Sequence, residues 1–226
     1  MVRTRVLDTI RQQPDRQIIT LVAPAGYGKT SVLAQLAGTG PVAWLTVDES
    51  SNDPSQLLTH LAVALARVAR IDPDLPAAIA SGGTSTRASV GRLLASLGER
   101  GSSALVVIDD AHRITNHASR DVLAAFVGHL PALARAAIAG RQAIELPVAA
   151  WRARGEMLEF GPTALAFDER EAAELVRGHG LRLTDDAIRR ITAQTEGWPA
   201  LTMLAAITVA RHHDGASVHV SGADLP

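Results

Sequence analysis

The sequence of 226 residues predicts an α/β fold, a three-layer core built on a parallel sheet, followed by a small all-helical domain. Three observations carry that expectation. Ile18–Ala23, Val42–Val47, Ala104–Ile108 and Ala134–Ala139 are nearly continuous apolar runs, as strands covered on both faces of a parallel sheet must be. Longer helical patterns separate these runs, and strand–helix alternation is the signature of layered α/β domains. After about Phe160 the strand pattern ceases and helix starts follow one another.

Each element has a local reason. The run Ile18–Ala23 leads through a glycine-bearing turn into a helix over Lys29–Leu36. Asp53-Pro54-Ser55-Gln56 opens a helix, with an acceptor at N-cap, Pro at N1 and Gln at N3. Leu57, Leu58, Leu61, Leu65 and Val68 give that helix one apolar face. Ser81–Ser89 reads as the main internal loop, with a helix resuming over Val90–Leu97. Asp168-Glu-Arg-Glu171 is a capping-box pattern followed by Ala172, Leu175 and Val176. Thr184 with Asp185 and Asp186 starts another helix, and a third begins near Trp198. The expected division is 1–163 for the α/β domain, 164–213 for a helical lid, and 214–226 for a flexible or truncated tail.

Composition narrows the function classes. With 47% hydrophobic and 20% charged residues the chain is globular, and a net charge of −1 supplies no global field for nucleic acid or membrane. The absence of cysteine excludes disulfides and thiolate metal sites. The longest apolar run, Trp198–Ala210, is too short to span a bilayer, and the charged N-terminal stretch is no signal peptide. The reading is a cytoplasmic chain.

Lys29 is the sole lysine among 22 basic residues, and it lies in Ala-Pro-Ala-Gly-Tyr-Gly-Lys-Thr, residues 23–30. A compact ammonium reaches between phosphate oxygens where the arginine fork does not fit. Between a strand and a helix this segment matches a phosphate-binding loop, with Ala23 replacing the first glycine. Backbone amides along Ala25, Gly26, Tyr27, Gly28, Lys29, Thr30 and Ser31 would face the phosphates, Lys29 would bridge the outer ones, and Thr30 would hold Mg²⁺. The strand Ala104–Ile108 ends in Asp109-Asp110, where Asp109 would complete the Mg²⁺ shell and Asp110 would orient or deprotonate water. Arg141, after the strand Ala134–Ala139, is either a γ-phosphate sensor or a plain surface arginine.

Other residues have bland readings beside the functional one. Tyr27 either packs beside a nucleotide or covers the base of its own loop. Trp44 is expected in the core, and His112 is a candidate for a hydrogen bond into the site. His212, His213, Asp214 and His219 read as a solvated run ahead of a weak metal site. Residues 184–210 mimic a helix-turn-helix, yet the last helix has no basic side chain before Arg211 and reads as buried.

Five blocks together resemble a known family. They are residues 23–30, Val-Ala-Trp-Leu-Thr-Val-Asp-Glu (42–49) with Asn52-Asp53-Pro54, Val-Val-Ile-Asp-Asp-Ala-His (106–112), residues 146–156, and Thr-Glu-Gly-Trp-Pro-Ala (195–200). Their order is similar to that of the large ATP-binding LuxR-type, MalT-like transcriptional regulators of the STAND class of P-loop NTPases. The likeness spans roughly residues 3 to 210. It implies ATP or ADP with Mg²⁺ bound between the two domains, slow hydrolysis, and Pro199 of Gly197-Trp198-Pro199 against the adenine. It matches the family's basic residue near the domain start loosely to Arg3 or Arg5. The family's sensor strand often ends Ser-Arg; here it ends Gly140-Arg141, without a hydroxyl.

The resemblance also implies a regulatory protein or inducer acting through regions absent here, with no direct DNA contact and no membrane contact by this chain. The chain then reads as a nucleotide-binding fragment or a short relative. A fast-turnover P-loop ATPase and a degenerate fold serving as an interaction module are the alternatives.

Overall fold

The structure, a computed structural model, describes residues 2–38, 40–98 and 103–215, with side chains to residue 211. The chain forms two compact units. One comprises Thr4–Ala25 and Lys29–Leu165; the other runs from Ala166 and takes in Arg3 and Gly26–Gly28.

The larger unit is the α/β fold that the sequence predicts. Its helices and strands follow as α1 (Thr4–Arg11), β1 (Ile18–Val22), α2 (Lys29–Ala37), β2 (Val42–Thr46), α3 (Pro54–Leu65), α4 (Leu75–Ala80) and α5 (Thr86–Gly98). Then come β3 (Ala104–Asp109), α6 (His117–Val127), β4 (Ala134–Gly140), α7 (Val148–Ala153), β5 (Met157–Phe160) and α8 (Pro162–Leu165). The five strands are parallel in the order β2-β3-β4-β1-β5. Register places Val22 beside Gly140 and Thr46 beside Asp109, so the loops after β1, β2, β3 and β4 all leave the carboxyl end of the sheet.

Position in the sheet explains the burial. The inner strands β1, β3 and β4 bury nearly every residue, as their apolar runs require. At the edge, β2 alternates buried and half-buried residues, and Trp44 is half-buried, its Nε1 donating to Thr46 Oγ1 at 3.1 Å. Trp44 is therefore not a core residue, because an edge strand has one covered side only. On α3, Leu57, Leu58, Leu61 and Leu65 are buried as expected, packed with Leu93, Val106 and Phe126; Val68 is buried too but lies in the turn beyond the helix end. Asp53 caps this helix by accepting from the Ser55 and Gln56 amides at 2.8 and 2.9 Å.

The expected loop Ser81–Ser89 is shorter than its composition suggests, since α5 starts at Thr86. Ser85 Oγ accepts from the Ala88 amide at 3.3 Å, so part of the Ser/Thr cluster is a helix start. Strand β5 has no counterpart in the sequence reading; four residues including Glu159 are too short a pattern.

The smaller unit holds α9 (Glu169–Gly178), α10 (Asp185–Gln194) and α11 (Pro199–Gly215). The capping box is present: Asp168 Oδ1 accepts from the Glu171 amide at 2.7 Å and Glu171 Oε2 from the Asp168 amide at 3.3 Å. Thr184 caps α10 through the Ala187 amide. Phe167, Ala172, Val176, Ile188, Ile191 and Ala206 form the core of this unit. Gly197 has φ +69, and a Cβ there would lie 2.3 Å from the Phe167 carbonyl oxygen, so only glycine fits.

Helix α11 departs from the expectation that it is buried. Thr202, Ala206 and Ala210 face inward, whereas Leu201 and Leu204 are 38% and 60% exposed. One side of this helix packs on α9 and α10, which a uniformly apolar sequence does not reveal. The tail expected from Asp214 lies, beyond Gly215, outside the described residues, as do the side chains of His212, His213, Asp214 and His219. No helix of the described residues is long and apolar enough to cross a membrane.

Candidate functional site

Parallel strands present their carboxyl ends together, and in such sheets ligands bind outside those ends. Strand β1 runs into the loop Pro24–Gly28, and α2 starts at Lys29. Gly26 and Gly28 adopt φ +81 and +74, the left-handed region that glycine enters without a steric penalty. Such a turn curls successive backbone amides into an anion-binding concavity at a helix mouth.

Lys29 is buried, with 8% of its surface exposed. Its ammonium donates to the carbonyls of Ala23 at 2.7 Å and Pro24 at 2.9 Å. Burial lowers its pKa; Asp109 opposes that effect, Arg141 reinforces it, and Asp110 opposes it again. The ammonium thus sits among the groups that the sequence singles out.

The Thr30 hydroxyl donates to Asp109 Oδ2 at 2.8 Å, bridging the start of α2 and the end of β3. Asp109 is 5% exposed, and its Oδ1 accepts the Asp110 amide at 2.9 Å. Asp110 adopts φ +55, a conformation that costs a non-glycine residue about 1–2 kcal/mol. Strain of this kind collects at functional positions. The Asp110 carboxylate lies 3.7 Å from His112 Nδ1 and 3.8 Å from Arg113 Nε.

His112 Nδ1 is buried without a hydrogen-bond partner. Burial lowers the His112 pKa; Asp110 opposes this, and Arg141, Arg113 and Lys29 reinforce it. A Cβ at Gly140 would sit 3.4 Å from His112 Cβ, so the β4 end and the turn after β3 pack closely. Arg141 follows at once and is exposed.

Lys29, Thr30, Asp109, Asp110 and Arg141 therefore gather at the carboxyl end of the sheet. Ala25 and Ser31 flank the tip of the loop and are exposed. In the smaller unit Tyr27 stacks on Trp198, with ring centroids 6.0 Å apart and planes inclined by 14°. Pro199 is buried in the first turn of α11.

Two residues make contacts that the sequence did not reveal. Asn52 sits in a quoted block but had no role; its Oδ1 accepts from the Thr115 and Asn116 amides, and its Nδ2 donates to the Arg113 carbonyl. It pins the segment that follows Asp110. Arg3 is buried and paired with Glu171, 168 residues away, a pairing that no local pattern can signal.

The donor set suits a phosphate chain with a hard divalent cation. Among the described residues no group of three or more His, Asp or Glu is placed to hold a metal by itself. One hydroxyl and one carboxylate are what Mg²⁺ takes from a protein when phosphate and water supply the rest.

Comparison with known proteins agrees. An AAA domain family model matches residues 12–141, more than half of the chain. The chain is 31% identical over 214 residues to the HTH-type transcriptional regulator MalT of Vibrio parahaemolyticus, covering 92% of this chain and 23% of that protein. It is 30% identical over 220 residues to the serine/threonine-protein kinase PknK of Mycobacterium tuberculosis, covering 92% of this chain and 20% of the kinase. The chain thus spans about a quarter or less of the length of these relatives.

Among solved structures, a Walker-type ATPase of Pyrococcus abyssi superposes with a TM-score of 0.61 at 13% identity, over 95% of this chain and 72% of that one. The Orc1 protein of Aeropyrum pernix gives 0.52 at 16% identity, over 92% and 59%. At such identities these two speak for the fold alone. The MalT-like resemblance read from the five blocks is borne out, and the chain belongs to the AAA domain family of P-loop proteins.

Proposed function

We propose that this chain is an ATP/ADP-binding switch of the STAND class, the nucleotide-dependent module of a transcriptional regulator. The amides of residues 26–31 hold the phosphate chain, and Lys29 exchanges the Ala23 and Pro24 carbonyls for phosphate oxygens. Thr30 and Asp109 hold Mg²⁺, which supplies charge neutralisation at the outer phosphates. Asp110 orients or deprotonates the attacking water, and Arg141 senses the terminal phosphate. Pro199 meets the adenine, a role taken from the family resemblance. Hydrolysis is slow and resets the switch. Inducers and regulatory partners engage other parts of a longer regulator, as the length of the relatives suggests.

The observation that carries this reading is the bond between Thr30 and Asp109 beside a buried Lys29. Calorimetric titration with MgATP and MgADP, together with the mass of any nucleotide carried through purification, tests it. Binding of either nucleotide, abolished in Lys29→Ala, is expected. No measurable affinity in the presence of Mg²⁺ would refute the switch. Unchanged binding in Lys29→Ala would point to an interaction module, and turnover well above about one per second to an ordinary ATPase.

A further inference from the structure

The tip of the phosphate-binding loop is held on its outer side by groups that belong to neither β1 nor α2. The Gly26 carbonyl accepts the Ala200 amide at 3.2 Å, and Ala200 lies in the first turn of α11, where helix amides lack intrahelical partners. The Tyr27 carbonyl accepts Arg3 Nη1 at 3.4 Å. The Tyr27 ring lies on Trp198. A Cβ on Gly26 would come within 2.6 Å of Ala200 Cβ and 2.9 Å of Trp198 Nε1, so this face of the loop is filled.

Arg3 is itself fixed from several sides. It is 2% exposed, its Nε donates to Glu171 Oε1 at 3.1 Å, and its guanidinium lies 4.8 Å from the Phe167 ring centroid. Glu171 is also the reciprocal member of the α9 capping box, so a short helix start sets where the guanidinium points.

A trans peptide is planar, and its carbonyl and the next residue's N–H point in opposite directions. Fixing the Gly26 carbonyl therefore fixes the Tyr27 amide, and fixing the Tyr27 carbonyl fixes the Gly28 amide. These two amides belong to the set that faces phosphate in the function proposed above. We infer that Arg3, held by Glu171, is a positioning residue for the phosphate-binding loop, presetting the direction of its tip amides together with the first turn of α11. The inference rests on the nucleotide-binding reading for its purpose, and on the hydrogen bonds alone for its geometry.

The test compares wild type with Arg3→Met, Arg3→Lys and Glu171→Gln in the full chain. Hydrogen exchange without nucleotide is read over residues 25–31, 104–109 and 168–211, beside MgADP affinity. In Arg3→Met, exchange over 25–31 is expected to rise about tenfold while 104–109 and 168–211 stay protected. MgADP affinity should fall about tenfold, equivalent to roughly 1.4 kcal/mol. Arg3→Lys keeps a cation and should recover part of both effects; Glu171→Gln should show a milder form. If Arg3→Met does not fold, these two variants carry the same measurement. Loop exchange that stays unchanged, or that rises only in step with 168–211, overturns the inference by making Arg3 merely structural. Wild-type protein that binds no nucleotide while its loop responds to Arg3 would sink the proposed function and leave the positioning role standing.

Discussion

Replacing Thr30 by Val isolates the hydroxyl that joins α2 to β3. The two side chains share shape and β-branching, so helix propensity and packing change little. The Thr30 hydroxyl gives Asp109 Oδ2 a 2.8 Å hydrogen bond, while Oδ1 retains the Asp110 amide. A hydrogen bond to a charged acceptor contributes about 1.5–3 kcal/mol, and the exposed position of Thr30 argues for the lower end, about 1.5 kcal/mol. At about 2–4 °C per kcal/mol for a chain of this size, the nucleotide-free melting temperature should fall by roughly 3–6 °C.

The same change removes one protein ligand of the proposed Mg²⁺ site. Nucleotide affinity is then measured in Mg²⁺ and in chelator for wild type, Thr30→Val and Thr30→Ser. The ratio of the two affinities should drop by about 10–100-fold in Thr30→Val, in line with the loss of groups that support a bound metal. Affinity in chelator should change little, and Thr30→Ser should restore both readouts. A Thr30→Val protein with an undiminished Mg²⁺ effect would refute the metal assignment. An unchanged melting temperature would refute the energy ascribed to the Thr30–Asp109 bond.

Two further outcomes concern the elements that support the site. Burial holds the His112 pKa below its unfolded value, which lies near ~6.5. Between the two values the unfolded chain binds more protons, so stability should decline as pH falls from about 7 through that window. Denaturant midpoints for wild type and His112→Asn should diverge least at low pH; parallel curves would contradict the assignment. Gly197→Ala should cost about 2–3 kcal/mol, because it combines left-handed strain with a Cβ 2.3 Å from the Phe167 oxygen. Thermal unfolding checks this, and a loss below about 1 kcal/mol would mean that the turn relaxes freely.

How much of this could be read from the chain alone varies by element. The inner strands were legible because burial on both faces forces a nearly continuous apolar run, as in Ile18–Ala23 and Ala104–Ile108. That Lys29, Thr30, Asp109 and Asp110 come together was legible, because the turns that follow β1 and β3 leave a parallel sheet at the same end. Strand β5 was not, since four residues gain strand character only by pairing with β1. Trp44 misled because its run resembles an inner strand, and only strand order reveals that β2 lies at an edge. Thr86–Ser89 misled because serine and threonine serve loops and helix starts alike.

Local composition settled what neighbouring residues decide among themselves: strand runs, helix caps, the glycine turn and its single ammonium. Which distant groups meet was left to the three-dimensional packing. Arg3 and Glu171 pair across 168 positions, Asn52 pins the segment after Asp110, and α11 has one covered side. The physical reason is reach: hydrogen bonds and side-chain contacts act over a few ångströms, and only the folded path of the backbone brings such residues within that distance.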